Sequence, residues 1–152
     1  MSKEIERKFL VDHEQLQKVY STMPTGIHLD QGYLSLDPVV RIRSYGSQGR
    51  LTIKGPGLIE RDEFEYPVPF LDTAGLLKLC KHRLTKIRYE LTYGKHTWEV
   101  DEFLGPLKGL WLAEIELEHV AERFDQPTWL RDEVTNDPRY QNSSLVVSGV
   151  PV

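Results

Sequence analysis

Charged side chains recur at every second position in several short segments of this chain that are rich in β-branched and aromatic residues. The clearest segments are residues 4–8, 41–43 and 114–118. Side chains at positions i and i+2 of a β-strand lie on the same face, so like charges are direct neighbours in these segments. Clustered carboxylates suit a hard divalent cation such as Mg²⁺, and clustered arginine and lysine side chains suit phosphate oxygens. Together the two kinds of cluster indicate a polyphosphate bridged by a metal ion.

Each of these segments predicts a strand with one charged face and one apolar face. The charged faces carry Glu4, Glu6 and Lys8; Arg41 and Arg43; Lys54; Glu63 and Glu65; Lys86, Arg88 and Glu90; Glu99 and Asp101; and Glu114, Glu116 and Glu118. The ordinary interpretation of such a face is one that meets solvent, because antiparallel sheets commonly have one wet side. A solvated face, however, gains from alternating signs and from neutral polar residues. The runs of like charge therefore favour a face that binds a ligand or a counter-ion.

Turn signals separate the predicted strands and indicate antiparallel hairpins. Gly94-Lys95 is the clearest, because glycine at the first central position suits a type II′ turn. The strands are too many for one flat sheet, and a barrel of about eight strands is near the size that encloses one small ligand. Helices are few. The spacing predicts one over residues 71–82, with Asp72 as N-cap and Cys80 on its apolar face, and shorter ones near residues 13–20, 120–124 and 140–147.

Composition narrows the class of protein further. The 152 residues predict one domain over residues 1–152, and the net charge of −4 argues against a surface that binds nucleic acid as a whole. The single cysteine, Cys80, excludes an intrachain disulfide and every multi-cysteine metal site. The N-terminus is charged, and no apolar stretch reaches the roughly 20 residues that a membrane helix needs. We therefore expect a cytoplasmic protein that binds neither nucleic acid nor membranes.

Taken in order, the charged segments resemble those of the CYTH superfamily, also called the triphosphate tunnel metalloenzymes. Glu4-Ile5-Glu6-Arg7-Lys8 is similar to the Glu-x-Glu-x-Lys signature of that family. The resemblance continues through Arg41-Ile42-Arg43, Thr52-Ile53-Lys54, Glu63-Phe64-Glu65, Lys86-Ile87-Arg88-Tyr89, Glu99-Val100-Asp101 and Glu114-Ile115-Glu116-Leu117-Glu118, and the tail from Trp129 to Asn142 resembles that of short bacterial members. It implies a mainly β (α+β) fold: an eight-stranded antiparallel β-barrel that forms a tunnel, with charged side chains inside and a few helices outside.

The resemblance also implies roles for the charged residues. Lys8, Arg41, Arg43, Lys54, Lys86 and Arg88 would bind the triphosphate, and Glu4, Glu6, Glu63, Glu65, Asp101, Glu114 and Glu116 would supply the acidic side that holds Mg²⁺ or Mn²⁺. Glu114 and Glu116 are the main candidates for the first ion. Two accounts of the attacking water stay open. Either a second ion near Glu6 and Glu65 activates the water, or Lys86 accepts its proton because Arg88 lowers the pKa of that lysine.

The implied function is metal-dependent hydrolysis of inorganic triphosphate to pyrophosphate and phosphate, because so short a chain leaves little sequence for recognising a nucleobase. A class IV adenylate cyclase is the main alternative within the fold, followed by a thiamine or nucleoside triphosphatase. Two alternatives belong to another class: a non-catalytic module that binds polyphosphate, and a barrel that carries apolar ligands. The carboxylates disfavour the non-catalytic module, and the charged inner face disfavours the carrier of apolar ligands. Apolar patches left outside the barrel suggest a homodimer interface.

Overall fold

The computed structural model describes residues 2–152, and β-strands dominate this part of the chain. The strands are β1 (Ser2–Val11), β2 (Ile27–Leu36), β3 (Val39–Tyr45), β4 (Gln48–Lys54), β5 (Glu60–Val68), β6 (His82–Tyr93), β7 (His96–Phe103), β8 (Trp111–Glu116) and β9 (Leu130–Glu133). The α-helices are α1 (His13–Val19), α2 (Phe70–Lys78) and α3 (Asn142–Ser148), and short 3₁₀ helices lie at Gly105–Leu107 and Pro138–Tyr140.

Eight of the strands form a closed antiparallel barrel. The order around the barrel is β1-β5-β4-β3-β2-β6-β7-β8, and β8 returns to β1. β1 closes the barrel because residues 2–5 pair with β5 and residues 6–10 pair with β8. The short strand β9 lies outside this closed set and pairs with the end of β1. The eight-stranded antiparallel barrel expected from the sequence is confirmed, whereas the assignment of residues 1–152 to one domain stays a prediction.

Two tight hairpins depend on glycine. Gly46, between β3 and β4, has φ of +59°, and Gly94, between β6 and β7, has φ of +64°. This left-handed backbone conformation costs little only for glycine. At Gly94 an added Cβ would also lie 2.6 Å from Asp125 Oδ2. The predicted hairpin at Gly94-Lys95 is therefore confirmed, and it fixes the register of β6 against β7.

The apolar strand faces point outward and are covered by helices and loops. The largest buried cluster surrounds Trp98 and Trp129, which are at most 1 % exposed, and α1 contributes Leu16 to it. On another side of the barrel, Leu77 of α2 and Cys80, which follows the helix, are buried against β3. Because alternate residues of a strand point to opposite sides, this outer apolar layer places the charged faces inside the barrel.

The helix predicted over residues 71–82 is observed as the shorter helix α2, and the expected N-cap is wrong. Pro69 occupies the N-cap position with φ of −55°, and Asp72 lies within the first turn. The fixed φ of proline suits the start of a helix. At the other end the chain leaves the helix after Lys78 and enters β6 at His82, which pairs with Tyr33 of β2. Strand pairing therefore begins where the predicted helix would have ended.

The helix predicted near residues 120–124 is wrong, whereas those predicted near residues 13–20 and 140–147 correspond to α1 and α3. Residues 120–124 form a turn followed by an irregular segment. Phe124 packs edge-on against Trp98 with ring centroids 5.6 Å apart, so packing on the barrel decides the local conformation. None of the helices in residues 2–152 is long and apolar enough to cross a membrane.

One end of the barrel is filled by an apolar cluster. Leu84, Phe103 and Leu112 turn inward there, and Leu145 of α3 packs with them; all four are at most 5 % exposed. α3 thus lies across this end of the barrel. Its first residue, Asn142, reaches the charged interior, where its side chain bonds to a lysine of β6.

Candidate functional site

The charged faces of the strands line the interior of the barrel. The cations expected to bind phosphate are each at most 9 % exposed: Lys8, Arg41, Arg43, Lys54, Lys86 and Arg88. The carboxylates of Glu4, Asp101 and Glu114 are buried to the same extent. Burying an unpaired charge is costly, so buried charges are paired with one another or with a ligand. A merely solvated sheet face is therefore the wrong interpretation for these residues.

Asp101 of β7 joins two cations of the neighbouring strand β6. Arg88 donates from Nε and Nη2 to the two Asp101 oxygens at 2.8 and 2.9 Å, and Lys86 Nζ lies 2.7 Å from Asp101 Oδ2. Burial raises the pKa of Asp101, but Arg88 and Lys86 outweigh it and lower that pKa overall. Burial and the charge of Arg88 lower the pKa of Lys86 to about 8, against the opposing charge of Asp101. Lys86 can therefore lose its proton slightly above neutral pH.

α3 holds Lys86 from the other side. Lys86 Nζ donates to Asn142 Oδ1 at 2.8 Å, and Gln31 Nε2 donates to the same oxygen at 3.4 Å and to the Tyr33 hydroxyl at 3.1 Å. Gln31 is completely buried. Gln31 is not among the residues predicted from the sequence, because a single glutamine in β2 shows neither a repeat nor a charge pattern.

Glu4 lies at the centre of a second ionic network. Lys54 Nζ is 3.0 Å from Glu4 Oε1 and 3.4 Å from Glu63 Oε2, and Arg61 Nε donates to Glu4 Oε1 at 3.3 Å. Burial opposes ionisation of Glu4, but its hydrogen bond with Glu63 and the charges of Lys54 and Arg61 lower its pKa to about 2. Burial and the contact with Glu4 raise the pKa of Glu63 to about 7. The two carboxyl groups therefore share one proton near neutral pH.

Arg61 is an inward-facing residue that the sequence analysis missed. It lies on β5 two positions before Glu63, directly opposite Glu4 in the pairing of β1 with β5. The same alternation that selects Glu63 and Glu65 includes Arg61 if it is extended by one step towards the N-terminus. The two-residue alternation therefore includes Arg61, but Arg61 is basic whereas Glu63 and Glu65 are acidic, so it did not extend the run of like charges.

Glu6 and Glu114 form a second pair of carboxyl groups whose charges influence each other. Burial and the charges of Glu114 and Glu4 raise the pKa of Glu6 to about 8. Burial also opposes ionisation of Glu114, but nearby cations, with Lys8 foremost, lower the pKa of Glu114 well below its usual value. Lys8 Nζ lies 3.7 Å from Glu114 Oε1 and donates to the Tyr140 carbonyl oxygen at 3.0 Å.

The two carboxyl pairs fit a divalent cation. Each pair retains a proton near neutral pH because burial and the neighbouring carboxylate raise the pKa of Glu6 and of Glu63. Mg²⁺ and Mn²⁺ take carboxylate oxygens as ligands, and Mg²⁺ keeps several waters. Within residues 2–152, no three His, Cys, Asp or Glu side chains are already gathered as a metal cluster. Lysine and arginine side chains lie against the same carboxylates instead, so a cation would have to displace them.

Two predicted ligands lie nearer to solvent. Glu65 and Glu116 are both exposed. Glu65 accepts hydrogen bonds from Arg50 Nη1 at 3.0 Å and from Thr52 Oγ1 at 3.2 Å, and burial of part of its side chain raises the pKa of Glu116. Glu65 is thus held by residues of β4. A second metal ion near Glu6 and Glu65, and every other assigned role in the predicted site, stays a prediction.

Two adjoining cavities connect this interior with the α3 side of the barrel. The lumen cavity, of about 40 Å³, lies between β1, β3, β6 and β8. The larger one, of about 440 Å³, is lined by residues 36–39 and 54–57, Arg61, Gln141 and α3; we call it the vestibule. Arg61 and Lys54 line both cavities. The lumen cavity has room for no more than a few water molecules, so a polyphosphate must displace side chains when it enters.

Comparison with known proteins agrees with this geometry. The family model described as CYTH domain matches residues 2–148. The chain belongs to the CYTH family. A CYTH relative from Acetivibrio thermocellus, named inorganic triphosphatase, is 43 % identical over 151 residues, which cover 96 % of this chain and 94 % of that protein. A second relative of that name, from Nitrosomonas europaea, is 36 % identical and covers 95 % of this chain and 97 % of its own length.

Solved structures agree with the CYTH assignment. A crystal structure of an inorganic triphosphatase matches all of this chain and 99 % of its own, with a TM-score of 0.67 and 32 % identity. A putative adenylate cyclase from Bacillus halodurans matches 78 % of the chain with a TM-score of 0.55. At 18 % identity the latter likeness shows the fold alone. CYTH triphosphatases depend in general on a metal ion.

The raised carboxyl pKa values predict an unusual pH dependence of stability in metal-free protein. Folding raises the pKa of Glu6 to about 8 and that of Glu63 to about 7, from 4.5. The folded state therefore keeps protons that the unfolded chain releases, and this stabilisation is present below about pH 4.5 and is lost as pH rises through 7 and 8. We expect the free energy of unfolding to fall between pH 5 and pH 8, by about 1.4 kcal/mol per pH unit for each proton that only the folded state retains.

Urea unfolding at pH 5, 6, 7 and 8 in the presence of a chelator measures this effect. Glu6→Gln, which cannot ionise, should flatten the dependence, whereas Glu118→Gln, at an exposed position beyond β8, should leave it unchanged. A free energy of unfolding that rises steadily from pH 5 to pH 8 in the unsubstituted protein would contradict the shared protons.

Proposed function

We propose that this protein hydrolyses inorganic triphosphate to pyrophosphate and phosphate inside its barrel, with Mg²⁺ or Mn²⁺. The observation that carries the proposal is the burial of six lysine and arginine side chains in the barrel interior, each at most 9 % exposed, beside carboxyl pairs that retain protons. The two relatives named inorganic triphosphatases, at 43 % and 36 % identity, support it. The small lumen cavity, of about 40 Å³, favours a substrate that consists of phosphates.

The cations supply positioning and charge stabilisation, which are the main requirements of phosphoryl transfer. Lys8, Arg41, Arg43, Lys54, Lys86 and Arg88 bind the non-bridging oxygens of the triphosphate. Arg88 cannot turn freely, because Asp101 holds it through two hydrogen bonds and Glu99 Oε2 accepts a third from Nη1 at 3.1 Å. The N–H groups that remain on Nη1 and Nη2 therefore point in fixed directions. Arg41 donates to Thr52 Oγ1 at 3.2 Å, and its Nε has no partner among residues 2–152, so it is ready to bind an anion.

The carboxylates supply the metal site. Glu114 and Glu116 hold the principal ion with help from Glu4 and Glu6, and Glu63 and Glu65 complete the acidic wall. When bound, the ion neutralises phosphate charge and polarises the bond under attack. Asp101, also predicted on the acidic side, has both oxygens engaged by Arg88 and Lys86. In the proposed mechanism Asp101 therefore fixes these two cations.

Lys86 is the group that accepts the proton of the attacking water in this proposal. Its pKa of about 8 makes a neutral amine available slightly above neutral pH. Asn142 Oδ1 accepts one of its hydrogens and so aims the Nζ atom. The alternative, in which Glu6 and Glu65 hold an ion that activates the water, makes Lys86 only a binding residue.

Replacing Lys86 separates these two accounts. Lys86→Ala should lower kcat for tripolyphosphate by roughly a hundredfold and remove the rise of kcat through about pH 8, since a general base contributes on this scale. Lys86→Arg keeps the positive charge but cannot act as a base, so it should lose kcat while largely keeping KM. A variant with a raised KM and an unchanged pH profile of kcat would contradict the lysine base and favour the metal-activated water.

One assay tests the function as a whole. Tripolyphosphate, ATP, GTP and thiamine triphosphate are each incubated with the protein and Mg²⁺ or Mn²⁺, and phosphate and cyclic AMP are measured separately. We expect tripolyphosphate to be turned over with the highest kcat/KM and to yield one phosphate per pyrophosphate. Cyclic AMP as the main product would establish a cyclase instead, and binding of tripolyphosphate without turnover would establish a sensor.

Two further expectations belong to the same proposal. A cytoplasmic location agrees with the free cysteine, Cys80, which is buried, and with a phosphate substrate of small size. A homodimer remains a prediction from the apolar surface left outside the barrel. Leu71 and Leu79, on and just after α2, are 90 % and 72 % exposed. Sedimentation analysis of the purified protein determines the oligomeric state directly.

A further inference from the structure

Arg61 lies where three cavities of the barrel meet. It lines the lumen cavity, the vestibule and a third cavity that reaches Tyr140 in front of α3. Its side chain is only 12 % exposed, yet open space borders it on these sides. Arg61 can therefore change its rotamer without a shift of the backbone of β5.

The ion pairs of Arg61 are weak for a buried arginine. Its Nε donates to Glu4 Oε1 at 3.3 Å, and its Nη2 lies 4.0 Å from Glu6 Oε1. Arg88, by contrast, makes two hydrogen bonds of 2.8 and 2.9 Å to one carboxylate. Two parallel charge-assisted bonds are stronger and more directional than one long bond. Arg61 is thus loosely held, and it is held by two carboxylates of the proposed metal site.

A metal ion and Arg61 compete for the same carboxylate oxygens. A divalent cation at Glu4 and Glu6 would lie within a few ångströms of the guanidinium, where charges interact strongly because water is largely excluded. Lys54 also contacts Glu4, but it keeps Glu63 as a second partner at 3.4 Å. Arg61 has no such second acidic side chain outside Glu4 and Glu6 among the ion pairs of residues 2–152. It is therefore the cation most easily displaced.

The geometry points to Arg61 as an exchangeable counter-ion: it pairs with Glu4, beside Glu6, in the absence of metal, and it turns towards the vestibule to bind the outermost phosphate of the substrate once a metal ion is bound. The lumen cavity of about 40 Å³, which Arg61 helps to line, has room for only a few water molecules, whereas the vestibule of about 440 Å³ has room for the displaced side chain. The inference rests on the proposed function, since the metal site and the triphosphate belong to it.

Titration with Mn²⁺ alone tests the first half of this inference. Arg61→Gln and Arg61→Met both remove the competing charge, so each should bind Mn²⁺ roughly tenfold more tightly than the unsubstituted protein, a change of about 1.4 kcal/mol. Arg61→Lys keeps the charge and should stay within about threefold of it. Isothermal titration calorimetry or electron paramagnetic resonance of free Mn²⁺ gives the affinity without substrate, and circular dichroism confirms that each variant is folded.

Arg41→Gln is the matched control. Arg41 is also buried and inward-facing, but its guanidinium donates to Thr52 and contacts neither Glu4 nor Glu6 among the described hydrogen bonds and ion pairs of residues 2–152. We expect a clearly smaller gain in Mn²⁺ affinity than for Arg61→Gln. An equal gain in Mn²⁺ affinity in Arg41→Gln and Arg61→Gln would show a general effect of charge in the lumen, and it would overturn the exchange of Arg61 with the metal ion. Unchanged or weaker Mn²⁺ binding in both Arg61→Gln and Arg61→Met would overturn it as well.

Kinetics test the second half. In Arg61→Gln we expect KM for tripolyphosphate to rise by roughly tenfold, with kcat within about threefold of the unsubstituted protein, because a binding contact is lost and the reacting atoms are untouched. An unchanged KM would overturn the movement of Arg61 to substrate. The Mn²⁺ titration contains no substrate, so it remains decisive even if the unsubstituted protein fails to hydrolyse tripolyphosphate, a result that would contradict only the proposed function.

Discussion

Glu114→Gln is expected to lower kcat/KM for tripolyphosphate by roughly a thousandfold while leaving the barrel folded. Glu114 is buried at 8 % exposure, lies opposite Lys8 in the pairing of β1 with β8, and has a pKa well below its usual value, so it is a permanent anion in the lumen. The amide keeps the shape of the side chain but removes the charge that a divalent cation requires. Metal affinity should fall together with activity.

The measurement is steady-state kinetics at saturating Mg²⁺ or Mn²⁺, with Mn²⁺ titration as a second readout. Glu118→Gln provides the control, because Glu118 lies four positions further along the chain than Glu114 but is exposed beyond the end of β8. This variant should keep its activity within about twofold, as surface substitutions usually have little effect. Full activity in Glu114→Gln would remove Glu114 from the metal site and would refute the proposed set of ligands.

Arg88→Met is expected to abolish measurable turnover and to lower the free energy of unfolding by about 3 kcal/mol. Arg88 is 7 % exposed and makes two hydrogen bonds to Asp101, which is 1 % exposed. Without the guanidinium, Asp101 is left in a low-dielectric environment with Lys86 as its remaining cationic partner. Removal of one partner of a buried ion pair costs far more than the pair itself contributes.

A second substitution distinguishes the two effects of this change. Arg88→Met combined with Asp101→Asn removes both charges, so it should recover most of the lost stability in urea unfolding but none of the lost activity. Arg83→Met is the control on the same strand. Arg83 pairs with Asp30 at 3.0 Å, with 44 % of its side chain exposed, and such surface pairs contribute little. Restored turnover in the double variant would show that Arg88 only balances Asp101 and does not bind substrate.

Much of the site follows from periodicity. Strand side chains alternate strictly, so the two-residue spacing of Glu4 and Glu6, or of Lys86 and Arg88, assigns each pair to one face without any knowledge of the fold. The apolar residues between them fix which face packs against helices. The closed barrel then turns all charged faces to one interior, and six predicted cations are buried there. The number of strands came from the resemblance to CYTH proteins, because the residues alone indicated only that the strands are too many for one flat sheet.

Other features depended on contacts between distant parts of the chain. Gln31 and Asn142 are 111 positions apart and meet at 3.4 Å, beside Lys86. Neither shows a local pattern, because a single amide side chain matches neither a charge alternation nor a motif. The same limit applies to the segment near residues 120–124, where packing of Phe124 against Trp98 overrides a helical pattern. The sequence around a residue does not indicate which distant residues it contacts in the folded protein.

The sequence by itself determined the strand faces, the opposite charges within them and the chemistry of a metal-bridged polyphosphate, because these depend only on residue type and on the period of a strand. The tertiary structure alone decided which charges pair: Arg88 and Lys86 with Asp101, and Arg61 with Glu4. It also decided which carboxyl groups keep a proton, since pKa values depend on burial and on neighbours that come from other strands. The physical reason is that charge interactions act through space, whereas the pattern in a sequence records only neighbours along the chain.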